Sequence, residues 1–197
     1  MNPQPVTLTG RFVRLEPLTP AHLPALARVG LDPELWRWVP TPITSADEMR
    51  AYVELALAEQ RRGSALPFAI VEAAGGAVIG STRFGAIDTQ HRRLEIGWTW
   101  LAAAHQRTPA NTDAKRLLLG HAFERLSALR VEFKTDALNQ KSRRAIARLG
   151  ATQEGIFRKH LITASGRVRD TVYFSILDTE WPAIRQRLAA RLGLASH

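Results

Sequence analysis

The distribution of apolar and polar residues along the chain predicts about seven β-strands with helices between them. In the segment 130–136, Val131, Phe133 and Thr135 lie on one face, and charged residues lie on the other. Alternation of this kind is typical of a strand with one buried face. The segments that alternate in this way, or that form a short apolar run, are 8–15, 68–72, 77–87, 92–101, 130–136, 151–161 and 168–177.

Start and stop residues delimit the predicted helices. Thr44 and Ser45 are suitable N-caps, Asp47 and Glu48 suit a first turn, and Gly63 marks the end of the same helix. The predicted helices span about 20–29, 44–62, 113–126, 139–149 and 178–192, with a further helical turn from Pro33.

The order of these elements predicts the fold class. Hairpins near both ends of the chain produce antiparallel strand pairs, whereas the central strand–helix–strand stretch favours a parallel pair. We therefore predict an α+β fold, with a mixed, mostly antiparallel central sheet and flanking helices. The terminal helix could pack on its own sheet or on that of a neighbour, so the sequence leaves open whether the protein forms a homodimer.

Length and composition are those of a globular domain. The chain has 197 residues, of which 45% are hydrophobic, and we expect a single domain over residues 1–197. No apolar run could span a bilayer, and residues 1–5 do not resemble a secretory signal. We therefore expect a cytoplasmic protein without a membrane partner. The absence of cysteine excludes disulfides and thiolate chemistry, and no other cluster has metal-ligand spacing.

The net charge of +9 has two interpretations. It could indicate an anionic partner, such as a phosphorylated cofactor or a nucleic acid. It could also reflect composition alone, because arginine outnumbers lysine 23 to 4 and the arginines are spread along the chain. No helix-turn-helix, zinc-finger or RNA-binding motif is present, so nucleic acid is not the expected partner.

The polar loop 105–113 is the strongest candidate binding element. It follows an aromatic strand and leads into a predicted helix, 113–126. The start of a helix presents unpaired backbone N–H groups and a partial positive charge. Such a site can hold an anion such as a pyrophosphate.

Three segments carry a resemblance that extends over nearly the whole chain. The first is the strand 95–101, and the second is the loop. The third runs from Asn139-Gln140-Lys141-Ser142 through Arg148-Leu149-Gly150-Ala151 to Glu154-Gly155. In this order and spacing, the chain resembles the GCN5-related N-acetyltransferases (GNAT), specifically the RimJ/RimL-type branch that includes ribosomal-protein N-terminal acetyltransferases.

The resemblance implies the GNAT fold, acetyl-CoA as cofactor, and acetyl transfer to a primary amine of a peptide N-terminus or a small molecule. It implies that the fourth and fifth strands of the family sheet splay apart around the pantetheine arm. It also implies that Asn139 bonds this arm and that Ser142 approaches the sulfur. The remaining residues that it assigns to the cofactor are Trp98, Trp100 and Leu101 in the strand, and Gln106, Arg107, Thr108, Ala110, Asn111 and Thr112 in the loop and helix start.

The loop departs from the family pattern, Gln/Arg-x-x-Gly-x-Gly/Ala, at two positions. Gln106 fits the first position, but Pro109 stands where the first glycine belongs, and Asn111 where the small final residue belongs. Proline has no N–H, so one donor to the phosphates is lost if the loop keeps its usual course. Side-chain donors of Arg107, Thr108 and Asn111 could compensate.

Glu95 is the first candidate for the general base that must deprotonate the amine. It is an ionisable residue in an apolar strand, and burial would raise its pKa. The alternative is a structural carboxylate paired with Arg83 or Arg93. His160 is the second candidate because its ordinary pKa suits a base, although a strand histidine could also be structural.

Bulky aromatic residues are the candidates for contacts with the acceptor. We predict that Trp36, Trp38 and Phe84 line the acceptor side of the cleft; the alternative is that they belong to the core. Two other functions remain open. The chain could be a relative that binds CoA without catalysis, as Pro109 and Asn111 hint, or a basic protein associated with nucleic acid.

Overall fold

The computed structural model describes residues 1–194 and contains an eight-stranded sheet with the order β1-β2-β3-β4-β5-β6-β8-β7. Every neighbouring pair is antiparallel except β5 and β6, which are parallel. The predicted mixed, mostly antiparallel sheet is confirmed. The strands are β1 (Leu8–Thr9), β2 (Val13–Pro17), β3 (Leu66–Glu72), β4 (Val78–Asp88), β5 (Arg93–Leu101), β6 (Arg130–Asp136), β7 (Thr152–Ile162) and β8 (Val168–Leu177).

The additional strand arises because the predicted first strand, 8–15, is divided in two. The chain turns at Gly10, whose N–H donates to the carbonyl of Val13 at 2.9 Å. The buried carboxylate of Asp113 accepts the N–H of Phe12 at 2.7 Å, which holds this turn. A side chain at Gly10 would collide with the same carboxylate, since an added Cβ would lie 2.3 Å from Oδ2.

The described residues form five α-helices, close to the predicted positions: α1 (Leu23–Gly30), α2 (Ala46–Arg61), α3 (Ala110–Gly120), α4 (Gln140–Leu149) and α5 (Trp181–Arg191). Ser45 caps α2 as expected, because its side chain accepts from the N–H of Glu48. The helical turn from Pro33 is a short 3-10 helix, Pro33–Leu35. The prediction for α3 is wrong at its start. The helix begins at Ala110, three residues before Asp113.

Two apolar clusters cover opposite faces of the sheet. One joins the sheet to α3, α4 and α5, and it includes Phe68, Phe84 and Trp181. Trp181 stacks on Phe123 at a ring distance of 5.7 Å, so the terminal helix packs on its own chain. The other cluster lies beneath α1 and α2 and includes Trp36 and Trp100. Burial of these apolar residues is the main favourable term in folding.

Candidate functional site

Strands β5 and β6 separate after a short stretch of pairing. Arg93, Leu94 and Glu95 pair with Arg130, Val131 and Glu132, and the register ends there. Beyond this point β5 remains paired with β4, and β6 remains paired with β8. The two strands therefore border a gap, as the resemblance predicts, and the edge of β5 that faces β6 has backbone groups without a strand partner.

A bulge in β5 lies beside this gap. Ser81 pairs with Trp100 and Arg83 pairs with Gly97, so two residues of β5 lie opposite the single residue Thr82 of β4. Trp98, the first of the two, has a positive φ of 50°. The bulge changes the direction of the backbone groups that follow it along the gap.

The helix α3 begins at the end of the gap, directly after the loop. Pro109 is its N-cap, and its carbonyl accepts the N–H of Asp113 at 2.9 Å. The N–H groups of Asn111 and Thr112 precede this first helical bond and have no acceptor within the helix. Pro109 thus occupies the boundary of the helix, where a missing N–H disturbs the helix least.

Gln106 connects the loop to both sides of the gap. Its Nε2 donates to the carbonyl of Leu101 at 3.0 Å, and its Oε1 accepts from the ammonium of Lys141 on α4. Lys141 is a cation beside the loop that sequence reasoning missed. Arg107 is exposed and has a positive φ of 62°, an uncommon conformation for a residue other than glycine.

A shallow cavity of about 230 Å³ lies against the same loop. Two arginines, one from the loop and one from the end of α5, give it a cationic lining, which suits an anionic group. The lining residues are Arg107, Thr108, Pro109, Thr112, Arg191 and Leu192.

On the other side of the gap, β6 leads into α4. Asn139 caps this helix, because its Oδ1 accepts the N–H of Ser142 at 3.0 Å. The side chain of Ser142 is half-buried in the first turn. Both residues thus lie where β6 ends, which is the position that the resemblance requires, and their contacts with a cofactor stay predictions.

Glu95 is buried, with 8% of its surface exposed, and its Oε2 accepts from the ammonium of Lys134 at 2.9 Å. Burial raises the pKa of Glu95, and the hydrogen bond from Lys134 opposes this shift without cancelling it. The prediction that Arg83 or Arg93 could pair with Glu95 is wrong. Arg83 pairs with Glu59 at 2.7 Å, and Arg93 pairs with carboxylates other than that of Glu95.

His160, the second candidate base, is exposed on β7. The imidazole of His160 lies edge-on to the ring of Tyr173, at 5.8 Å between ring centres. The ammonium of Lys134 lies 5.1 Å from the centre of the Tyr173 ring. Tyr173 therefore lies between the two candidate bases. Sequence reasoning missed Lys134 and Tyr173, although the alternation in 130–136 had already put Lys134 on the polar face of its strand.

Two of the three aromatic residues predicted to line the acceptor side belong to the core instead. Phe84 is fully buried against Phe68. Trp36 is also buried, and its Nε1 donates to the carbonyl of Gly30 at 2.7 Å. Both predictions are wrong because aromatic side chains fill a core as readily as a binding cleft.

Trp38 is half-buried and lies at the boundary between two parts of the molecule. The guanidinium of Arg167 lies 5.8 Å from its ring. Two residues further on, the carbonyl of Pro40 accepts the N–H of Ala164 at 2.8 Å. These contacts join the segment after α1 to the tip of the β7–β8 hairpin. The segment therefore bridges the two halves of the sheet that the gap separates.

The exposed indole of Trp98 makes a cation–π contact with Arg83, whose guanidinium lies 4.9 Å from the ring centre. Gly85 makes room for the indole, since an added Cβ at this residue would lie 2.3 Å from Trp98. The carbonyl of Trp98 accepts from the hydroxyl of Tyr52 at 3.4 Å. The indole of Trp100, in contrast, lies in the core, so only the backbone of Trp100 is available to the gap.

Lys115 is a buried cation behind β5 that the sequence did not reveal. Its Nζ donates to Thr99 Oγ1 at 2.5 Å, and Thr99 shares a second hydrogen bond with Thr82 at 2.7 Å. Burial lowers the pKa of Lys115 to about 7. Lys115 thus supports the bulge from the side of α3.

Within residues 1–194, no three histidine, cysteine or acidic side chains are grouped so that they could hold a metal ion. None of the helices in the described part of the chain is both long and apolar enough to cross a membrane.

Comparisons with known proteins agree with this geometry. A GCN5-related N-acetyltransferase from Brucella melitensis has 35% identity and a TM-score of 0.87, with 95% of this chain and 86% of that chain covered. RimJ from Mycobacterium smegmatis, solved in complex with CoA-disulfide, has 25% identity and a TM-score of 0.82, with 95% of each chain covered.

A curated relative from Bacillus subtilis bears the name "Putative ribosomal N-acetyltransferase YdaF". It is 35% identical over 106 residues, which are 54% of this chain and 57% of the relative. A family model for the acetyltransferase (GNAT) domain matches residues 13–152, which include the gap, the loop and α3. The chain therefore belongs to the GNAT family and is an N-acetyltransferase.

Proposed function

We propose that this protein transfers an acetyl group from acetyl-CoA to the primary amine of a protein or peptide N-terminus. The separation of β5 from β6, with the start of α3 at its end, is the observation that carries this proposal. The GNAT family uses acetyl-CoA, and the RimJ neighbour was solved with a CoA derivative. The name of the Bacillus subtilis relative favours a protein as acceptor.

The cofactor's phosphates are proposed to lie against the free N–H groups of Asn111 and Thr112, close to Arg107 and Lys141. A helix start with unpaired donors and nearby cations favours an anion. The unpaired edge of β5, from Trp98 to Leu101, offers hydrogen bonds to the pantetheine arm. Asn139 and Ser142 bound the same gap from the side of α4.

The chemistry requires a neutral amine, because an amine with a pKa of about 8 to 10 is mostly protonated at pH 7. Glu95 is proposed to accept the proton, directly or through a water. Its raised pKa brings it closer to the range in which a carboxylate is an effective base. A backbone N–H of β5 after the bulge stabilises the charge on the carbonyl oxygen. Ser142 donates to the departing sulfur.

Calorimetric titration with acetyl-CoA and with CoA tests the cofactor site, and micromolar binding is the expected result. Replacing Lys141 with Gln should weaken binding about tenfold, since a hydrogen bond to a charged group contributes about 1.5 kcal/mol or more. Arg148→Gln is the matched control, because it removes the same charge from the last turn of α4, about 10 Å away along the helix. Equal losses in the two variants would contradict a local phosphate contact.

Transfer itself is tested by the release of CoA from acetyl-CoA in the presence of peptides with free N-termini. Micromolar binding of acetyl-CoA without transfer to any peptide or amine would favour the non-catalytic relative. No binding at millimolar concentration would mean that the loop with Pro109 has lost the phosphate site, and the proposal would fail.

Two variants of Asn139 distinguish its proposed contact with the cofactor from its role as the N-cap of α4. Asn139→Ala should lose about 1 kcal/mol of stability with the cap, and should also bind acetyl-CoA about tenfold more weakly. Asn139→Ser keeps a capping oxygen but shortens the side chain, so it should lose affinity while keeping stability. Thermal unfolding and calorimetry measure the two effects. An unchanged affinity in Asn139→Ser would remove Asn139 from the cofactor site.

A further inference from the structure

A group of charged side chains lies at the end of β6 and the start of β8, beyond the pair Glu95–Lys134. Asp136 ends β6 and is buried, with its side chain inaccessible to solvent. The N–H of Leu138 donates to its Oδ1 at 2.9 Å, and the guanidinium of Arg167 donates to its Oδ2. Both oxygens of Asp136 are therefore occupied.

Arg169 is adjacent to this pair but does not share its hydrogen bonds. Only 7% of its surface is exposed, and its Nε lies 3.8 Å from Asp136 Oδ2, too far for a hydrogen bond. Among the described residues, this buried Nε has no hydrogen-bond partner. A buried cationic donor without a partner is costly, so this position favours a bound group that can accept its hydrogen bond.

The neighbouring charges do not supply that ligand. Lys134 neutralises Glu95 at 2.9 Å, and Arg167 neutralises Asp136. Arg169 is left with only the longer contact to Asp136, at 3.8 Å, and its Nε donor stays without an acceptor among the described residues.

Along β8, Arg169 lies on the same face as Tyr173, because alternate residues of a strand share a face. Tyr173 is the partner of Lys134 in the β6–β8 pairing, and Lys134 contacts Glu95. The unused donor of Arg169 therefore lies on the face of the sheet that carries the proposed base.

From this arrangement we propose that Arg169 binds a carboxylate of the acceptor, and that the preferred acceptor is a peptide with an acidic side chain at its first or second residue. Glu95 would receive the proton of the amine while Arg169 holds the carboxylate beside it. A guanidinium is well suited to a carboxylate because its planar N–H groups match the two oxygens. The net charge of +9 agrees with an acidic acceptor. This inference rests on the proposed function.

The test uses matched hexapeptides that begin with Asp or Asn, or that carry Asp or Asn at the second position. The wild-type enzyme should acetylate at least one Asp peptide with a kcat/KM at least about tenfold above its Asn partner, because a charge-assisted hydrogen bond is lost with Asn. In Arg169→Gln, the ratio of kcat/KM for the Asp peptide to that for the Asn peptide should fall to about one, whatever change the substitution makes to the rates with both peptides. Arg169→Lys should keep part of the preference, since it keeps the charge.

Acetyl-CoA affinity and thermal unfolding of each variant verify that it is folded. The wild-type preference alone tests the proposal if Arg169→Gln does not fold. Binding of the same peptides to the CoA-bound protein, measured by calorimetry, gives a second readout that does not depend on turnover. A free amino acid is another possible source of the carboxylate. It is tested by comparing the acetylation of glycine, which has a free carboxylate, with that of glycinamide, which has none.

Equal values for every Asp and Asn pair in wild type, in rate and in binding, would overturn the proposal, as would a preference that persists in Arg169→Gln. A preference for glycine over glycinamide that depends on Arg169, without a peptide preference, would support the carboxylate contact and overturn the peptide acceptor. If every Asn peptide is acetylated as fast as its Asp partner, the proposed function stands while this inference fails.

Discussion

Glu95→Gln is expected to lower kcat by about 10²–10⁴-fold, the usual contribution of a general base, while the affinity for acetyl-CoA stays nearly unchanged. The amide keeps the shape of the buried carboxylate and can still accept from Lys134, but it cannot take a proton from the amine. The loss should appear in kcat because the proton moves only in the transition state. Steady-state kinetics with a peptide acceptor, together with calorimetry for acetyl-CoA, measure both quantities.

Glu132→Gln is the matched control for this variant. Glu132 is equally buried on the neighbouring strand and also lies near Lys134, at 3.5 Å, but its pKa is lowered rather than raised. It should therefore keep most of the activity. A fully active Glu95→Gln together with an inactive His160→Ala would instead identify His160 as the base.

The pH profile of wild-type kcat provides an independent readout of the same role. A base acts only when deprotonated, so activity should fall as the pH drops through the pKa of Glu95. Because burial raises this pKa, the acidic limb should lie above the ordinary glutamate value of 4.5. The limb should disappear in Glu95→Gln.

Lys115→Met is expected to stabilise the protein at pH 7 and below, by an amount on the order of a few kcal/mol. The buried ammonium of Lys115 has a pKa of about 7 in the folded protein, against 10.5 for an ordinary lysine. At neutral pH and below, folding therefore carries the cost of burying a charge. Methionine fills a similar volume without this cost, and Thr99 keeps its hydrogen bond to Thr82.

The sign of the pH dependence follows from the same two values. Between about pH 7 and 10.5 the unfolded chain holds a proton that folded Lys115 releases, so wild-type stability should rise with pH in this window. Denaturant unfolding between pH 6 and 10 should show this rise in wild type and its absence in Lys115→Met. Lys159→Met, which changes an exposed lysine on β7, should keep the wild-type slope. The same slope in Lys115→Met would show that Lys115 does not titrate as described.

Local features of the sequence were sufficient to predict most of the sheet and helices. The alternation in 130–136 and the cap at Ser45 depend on neighbouring residues alone, and both are found in the structure, as β6 and as the N-cap of α2. The division of the first strand could not be predicted in this way. It depends on Asp113, which is a hundred residues away and accepts the N–H groups of Phe12 and Val13.

The start of α3 illustrates the same limit at the candidate site. The sequence pattern predicts a helix that begins at Asp113. In the structure the helix begins at Ala110, with Pro109 as its N-cap, and Asp113 lies in the first turn. The carboxylate of Asp113 accepts the N–H of Phe12 in the turn between β1 and β2, a contact that local sequence does not reveal.

The amino-acid sequence was enough to predict the alternation of elements, the order of the three segments that resemble the GNAT family, and the position of Glu95 within an apolar strand. Each of these is a property of neighbouring residues. The pairing of Lys134 with Glu95, the burial of Lys115 behind Thr99 and the unpartnered donor of Arg169 were found only in the folded protein. The free energy of a charged group depends on its distance from other charges and from water, and packing between distant segments sets both distances.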